Sequence, residues 1–335
     1  MTSRPASPLA VWAGIFVLYI VWGSTYLAIR VAVGTIPPFL MAGLRFVPAG
    51  ALLMAVVVVW GRGSVRRPAW REVRDAAIVG ACLIGGGMGV VSWSETMVPS
   101  GITALLTALM PMWLGLFARI VLGERMARRA VVGTIVGLGG VALLAGPSIA
   151  AGGAEAPGLL ALLVSPMCWA AGSLYAARRA VLPKPALMAS GAEMLLGGIL
   201  LLVIATLTGE VAGFQPATVT PQAWAGLLYL IAIGSLVGFV TFAWLIGVAP
   251  LPRVTTYAYV NPMVAVVLGA IILGEPLEPR TIAAAAVIVA GVVLIVSATG
   301  RRSSARPADR IAVPSPTVAE PPMLTPDPAE ASPAA

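Results

Sequence analysis

Few side chains in this sequence can do chemistry, and most of those lie inside apolar stretches. The 335 residues include no His, which removes imidazole bases and imidazole metal ligands together. The two cysteines, Cys82 and Cys168, each sit within an apolar run and read as small core residues. No acidic cluster falls inside such a run, so neither a metal nor a cofactor is expected. What remains is Arg45, Glu95, Glu193 and a set of Trp and Tyr residues embedded in apolar sequence. These are groups for holding a solute: a cation, two carboxylates and flat rings that stack or attract cations.

Tyr19, Trp22, Gly23, Tyr26 and Arg30 recur at helical spacing on one face. Trp169, Gly172 and Ser173 form a shorter counterpart later in the chain. A packing stripe or an interfacial belt would use the same residues. Trp22 and Trp169 fall in mid-run, away from either belt, which favours a cavity wall; Tyr26 reads either way. Pro111 and Pro262 are expected to break two further runs, since each lacks an N–H and displaces the carbonyl one turn back. Freed carbonyls at membrane depth must face protein or a wet cavity. Met110 and Asn261 adjoin these breaks, and a simple packing kink is the other reading.

Arg45 lies well inside its run, where a charge costs about 3 kcal/mol on insertion scales. It should face the interior and find a partner. Glu193, near the symmetry-related position, offers a structural pair; a substrate carboxylate is the alternative. Glu95, beside Trp93 and Thr96, reads as an exposed carboxylate at the outer interface. If buried instead, it would suit proton coupling. Trp93, Trp244 and Tyr257 complete the candidate pathway, while Glu124 and Glu275 follow glycines and read as turn or cap elements.

Hydrophobic residues make up 59% of the chain and charged residues 10%, against about 25% charged in a soluble domain. The solvent for such a surface is lipid, so the fold class is an all-α integral membrane protein. Spanning a hydrocarbon core of about 30 Å takes about 20 helical residues. Runs of that kind cover 11–32, 37–60, 75–97, 101–122, 130–147, 157–177, 186–207, 222–247, 254–273 and 281–298. The first run carries no small-residue cleavage pattern and is read as a retained helix. All Lys and Arg except Arg30, Arg45, Arg119 and Arg280 fall on one side of this ten-helix topology. The positive-inside rule then places both termini in the cytoplasm of an inner or plasma membrane. The net charge of +8 is thereby assigned to orientation, and no nucleic acid is expected as a partner. Residues 1–10 form a short tail, and 299–335, rich in Pro, Ala and Ser, are expected to be disordered.

The runs repeat. Gly87, Trp93, Pro99, Pro111, Met112, Gly123 and Glu124 recur at an offset of 151 as Gly238, Trp244, Pro250, Pro262, Met263, Gly274 and Glu275. Trp22, Leu27, Pro38, Leu40 and Met41 recur at an offset of 147 as Trp169, Leu174, Pro185, Leu187 and Met188. Two units, 11–149 and 157–298, therefore hold five helices each. An odd number makes the second enter from the opposite side, so the repeats are inverted. That plan is typical of secondary transporters, whose sites lie between the repeats near the midplane.

Trp22-Gly23-Ser24-Thr25, Leu44-Arg45-Phe46, Val98-Pro99-Ser100-Gly101 and Tyr257-Ala258-Tyr259-Val260-Asn261-Pro262 with Gly274-Glu275 resemble the EamA-type drug/metabolite transporter superfamily, and within it the YedA-like exporters. The resemblance covers about residues 10–298. It implies a ten-helix fold with a central cavity and export of amino acids, related metabolites or toxic compounds. Cys168-Trp169-Ala170 departs from Val21-Trp22-Gly23, so the two cavity walls need not be equivalent.

The expected partners are a small-molecule substrate and the lipid bilayer; a homodimer is compatible with the sequence. No nucleotide-binding loop accompanies the glycine cluster at 80–89, so alternating access would run on an ion gradient, a proton antiport for instance, or on the substrate gradient itself. An intramembrane enzyme, or a membrane scaffold without transport, are the competing classes.

Overall fold

The computed structural model describes residues 7–60, 66–123 and 126–304. The start of the N-terminal tail, Glu124 and the tail beyond Ser304 lie outside the described residues. Among those described there are helices and no strand. Nine helices among the described residues are long and apolar enough to cross a membrane: α1 (Pro8–Ala32), α2 (Pro38–Val59), α3 (Trp70–Ser94), α4 (Ser100–Leu122), α5 (Arg128–Ala150), α6 (Ala156–Arg178), α7 (Ala186–Leu207), α8 (Pro221–Val248) and α10 (Pro279–Ala298). The shorter apolar helix α9 (Tyr257–Leu273) follows a single turn at Leu251–Val254 and completes the ten. The protein is a multi-pass membrane protein.

Local chemistry sets the helix ends. Ser7 Oγ accepts from the Ala10 N–H at 3.2 Å, with Pro8 in the first turn of α1. Glu72 reaches back to the Ala69 N–H at 2.7 Å and opens α3. α4 and α9 stop at Gly123 and Gly274, whose φ values of 67° and 64° lie in the left-handed region that favours glycine.

Each repeat's first helix is docked into the other repeat. α1 packs against α8 and α9, and α6 against α3 and α4. The second helices, α2 and α7, pair with each other. So do the fifth, α5 and α10: a Cβ added to Gly133 would lie 2.6 Å from the Gly291 carbonyl oxygen. Without a hydrophobic drive between helices in lipid, such backbone-to-backbone approach supplies the packing.

The loops sort to two ends. At the far end, Leu40 N donates to Glu210 Oε2 at 2.8 Å, and Thr35 meets Thr220. Burial raises the Glu210 carboxyl above its ordinary range, and the Leu40 N–H works against that rise. Glu275 reaches Ser100 at the same end. At the near end, where α1 begins and α10 finishes, Asp75 gathers Arg74, the Tyr175 hydroxyl and the Val181 N–H.

Two local features differ from the sequence expectation. α3 and α8 widen into π-helix at Ala81–Gly89 and Leu230–Val237, at matching places in the two repeats. Such segments often mark functional sites. The proline breaks are also unequal. α4 is interrupted at Ala108–Leu109, and Pro111 sits in the first turn of the following segment, where its missing N–H costs nothing. Pro262 instead lies inside the continuous helix α9, and the interruption in that repeat falls at Thr255–Thr256. α9 absorbs the one hydrogen bond that Pro262 removes.

Candidate functional site

Trp22 stands at the centre of an aromatic group on the repeat interface. Its ring lies 4.9 Å from Tyr257, 5.2 Å from Phe242 and 5.7 Å from Phe239, centroid to centroid. Phe242 and Tyr257 are 6.0 Å apart and edge-on. Edge-to-face contacts of this kind add about 0.5–1.5 kcal/mol each beyond burial. The Trp22 indole nitrogen faces Gly238 so closely that any Cβ there would collide with it. The second repeat does the same in reverse: the Trp169 indole lodges on Gly87. The paired residues that reveal the repeat in sequence are thus the ones that interlock the two halves.

Hydroxyl pairs tie α1 to its neighbours. Tyr19 Oη and Thr256 Oγ1 are 2.6 Å apart, at the break before α9. Ser24 Oγ and Tyr229 Oη are 2.7 Å apart. Tyr26 Oη and Thr107 Oγ1 are 2.8 Å apart, on the segment before the α4 break. Tyr26 and Tyr257 are half-buried and pack against the buried apolar core.

Arg45 is 3% exposed. Its Nε donates to Ser235 Oγ at 3.1 Å, its guanidinium lies 4.5 Å over the Phe46 ring, and Nη1 has no partner. It does not pair with Glu193. That residue is half-buried on α7, its backbone carbonyl against Gly80 of α3, whereas Arg45 points at α8. Symmetry in sequence placed the two at equivalent depth but on different interfaces.

Glu95 is 0% exposed, and neither carboxylate oxygen has a hydrogen-bond partner. The expectation of an exposed interfacial carboxylate is overturned: Arg30 donates to the Glu95 main-chain carbonyl and holds the end of α3 under the bundle.

Of the other sequence candidates, Asn261 is buried beside Gly23 with Oδ1 unpartnered, and Pro262 is buried with it. Met110, Pro111, Trp93, Trp169 and Ser173 are half-buried. Trp244 lies against Gly14 and is 39% exposed, turned outward from the group around Trp22. Phe239, Phe242, Ser235 and Thr107 escaped the sequence reading. The usable signals were an aromatic pair three residues apart and lone hydroxyls inside apolar runs. Cys82 and Cys168 are free thiols.

A cleft of about 480 Å³ opens between α4 and α6 toward the near end, lined by Phe117, Val121, Leu174, Tyr175, Arg178 and Arg179. A smaller pocket of about 90 Å³ at the far end lies among Glu155, Glu275, Glu278 and Arg280. Among the described residues no three His, Cys, Asp or Glu are placed to hold a metal ion together.

Comparison with known proteins agrees with this architecture. The model of the EamA-like transporter family matches the chain twice, at residues 10–146 and 156–297. The inner membrane transporter YedA of Escherichia coli strain K12 is 35% identical, over 86% of this chain and 90% of that protein. A probable terminal-alkyne amino-acid exporter of Streptantibioticus cattleyicolor is 31% identical, over 88% and 96%. A crystal structure of a protein 24% identical in sequence shares the fold with a TM-score of 0.58, over 89% of this chain and 98% of that one. Two family units in one chain, ten apolar helices and the crossed docking of α1 and α6 make this protein a membrane transporter of the EamA-like family.

Proposed function

We propose that the protein exports amino acids or related small metabolites from the cytoplasm across the inner membrane by alternating access between its two inverted repeats. The observation that carries this reading is the reciprocal seating of Trp22 on Gly238 and Trp169 on Gly87, around an interior holding buried Arg45 and Glu95. Two halves locked through equivalent contacts can trade one arrangement for its mirror, which is the geometry that alternating access needs. The far end is drawn together by Arg30, Glu210 and Glu275, while the cleft between α4 and α6 opens at the near end. By the positive-inside rule the near end is cytoplasmic, so this arrangement corresponds to a state open inward. The amino-acid exporter among the relatives supports the substrate class.

The test is expression in a bacterial host with untargeted mass spectrometry of the medium. The control is a Trp22→Ala, Trp169→Ala variant present in the membrane at equal level. The expected result is one compound class accumulating outside only with the intact protein. Equal accumulation with both proteins would remove the aromatic interface from the mechanism, and no accumulation from any host, drug-challenged or not, would remove export.

A further inference from the structure

Two buried charges in one part of the bundle each carry polar atoms that meet nothing. Glu95 has two free carboxylate oxygens at 0% exposure, and Arg45 has a free Nη1 at 3%. Arg30, one turn along α1 from Tyr26, holds the Glu95 carbonyl, and Thr25, next to Tyr26, lies with the Arg45 guanidinium against Gly234, so the three share one neighbourhood. Yet no ion pair closes between them among the described residues. A buried carboxylate and guanidinium this near would gain by contact, because each alone bears several kcal/mol of desolvation. They stay apart because each is anchored elsewhere: Arg45 by Ser235 on α8, and the Glu95 backbone by Arg30 on α1. Nearby, Asn261 on α9 has its backbone carbonyl against α1 at Gly23, one turn from Tyr26, and carries a buried Oδ1 with no partner. The inventory is thus acceptors at Glu95 and Asn261, a free donor at Arg45, half-buried Tyr26, and half-buried Tyr257 against Trp22, one turn along α1 from Tyr26.

We infer that Glu95 and Arg45 form a split site for a zwitterion, Glu95 taking the ammonium group of the substrate and Arg45 its carboxylate, with the substrate side chain against Tyr26 and Tyr257. This rests on the export reading above and narrows it to compounds carrying both a free amine and a free carboxylate. Neither end alone suffices. An ester leaves the Arg45 donor unmatched, an N-acyl derivative leaves Glu95 unmatched, and an unmatched buried polar group is what a site rejects most strongly.

The experiment uses the full chain in proteoliposomes. Counterflow of radiolabelled leucine, phenylalanine and threonine is competed by each free amino acid, its methyl ester and its N-acetyl derivative. With the wild type, both derivatives should compete at least about tenfold more weakly than the parent. Glu95→Gln should erase the preference over the N-acetyl form while keeping that over the ester. Arg45→Gln should do the converse. Such opposite losses cannot come from misfolding, which would lower all counterflow together, and Arg45→Lys should restore part of the discrimination against the ester. Equal competition by all three forms, with counterflow intact, overturns the split site and leaves export standing. Stronger competition by the ester or the N-acetyl form than by the parent amino acid overturns it equally. Absence of any flux, here and in the cell assay, overturns both readings.

Discussion

Glu275 follows the left-handed Gly274 and ties the end of α9 to the start of α4. Its carboxylate accepts from Ser100 N at 2.8 Å, Ser100 Oγ at 2.8 Å and Gly101 N at 3.1 Å. Two of those donors belong to the first turn of α4, where N–H groups lack helical partners. Ser100 and Gly101 are both buried, so water does not replace the lost acceptor. A hydrogen bond to an ionised acceptor contributes about 1.5–3 kcal/mol, and a negative charge at a helix N-terminus about 0.3–1 kcal/mol more. Glu275 is itself half-exposed, which screens the charge and argues for the low end. Glu275→Ala should therefore cost about 2–3 kcal/mol. Glu275→Gln keeps one acceptor oxygen and the length of the side chain, and should cost about 1 kcal/mol. At about 2 °C per kcal/mol for a large helical body, melting in detergent should fall by about 5 °C for Ala and about 2 °C for Gln. Ser100→Ala, which removes only the hydroxyl bond, should resemble Gln. A Glu275→Ala protein that melts within about 1 °C of the wild type, or a Gln variant weaker than Ala, would refute the cap.

Gly87→Ala and Gly238→Ala each drive a methyl group into an indole, and overpacking of this kind costs about 1–3 kcal/mol. Adding Trp169→Ala to Gly87→Ala, or Trp22→Ala to Gly238→Ala, should recover thermal stability without recovering flux, a coupling that a double-mutant cycle reads directly. Asp75 holds Arg74, Tyr175 and the Val181 N–H at the near end. Asp75→Asn and Tyr175→Phe should each lower the melting temperature, and together by less than the sum. Strict additivity would show that the two side chains do not share one network.

Much of the fold was legible because lipid imposes length and hydropathy on every span. The run at 186–207 matches α7 from Ala186 to Leu207. The run expected from residue 75 begins at Trp70, because Arg71, Glu72 and Arg74 make a polar opening that hydropathy excludes. The repeat showed itself through rare residues, and Trp22, Trp169, Gly87 and Gly238 turn out to touch across it. Hydrogen-bond register was not legible: nothing in the composition of 230–237 distinguishes π-helix from α-helix. The partner of Arg45 was hidden for a different reason. Depth along a helix can be read from sequence, but the facing helix depends on rotation about the axis, and Ser235 lies far away in the chain. Glu95 looked interfacial because its apolar run ends there, and only the fold shows Arg30 closing over that end.

The crossed docking of α1 into α8 and α9, and of α6 into α3 and α4, has a consequence for biogenesis. As the chain leaves the ribosome, α1 enters the bilayer with its permanent neighbours still untranslated. Until they arrive, the Trp22 face and its row of hydroxyls must tolerate lipid, a chaperone or a passing helix. The first repeat is therefore an assembly intermediate with an open seat, and the second completes it by insertion. Severed between α5 and α6 and made as separate polypeptides, the halves should each depend on the other for survival against membrane proteases, since the contacts that finish one half are carried by its counterpart.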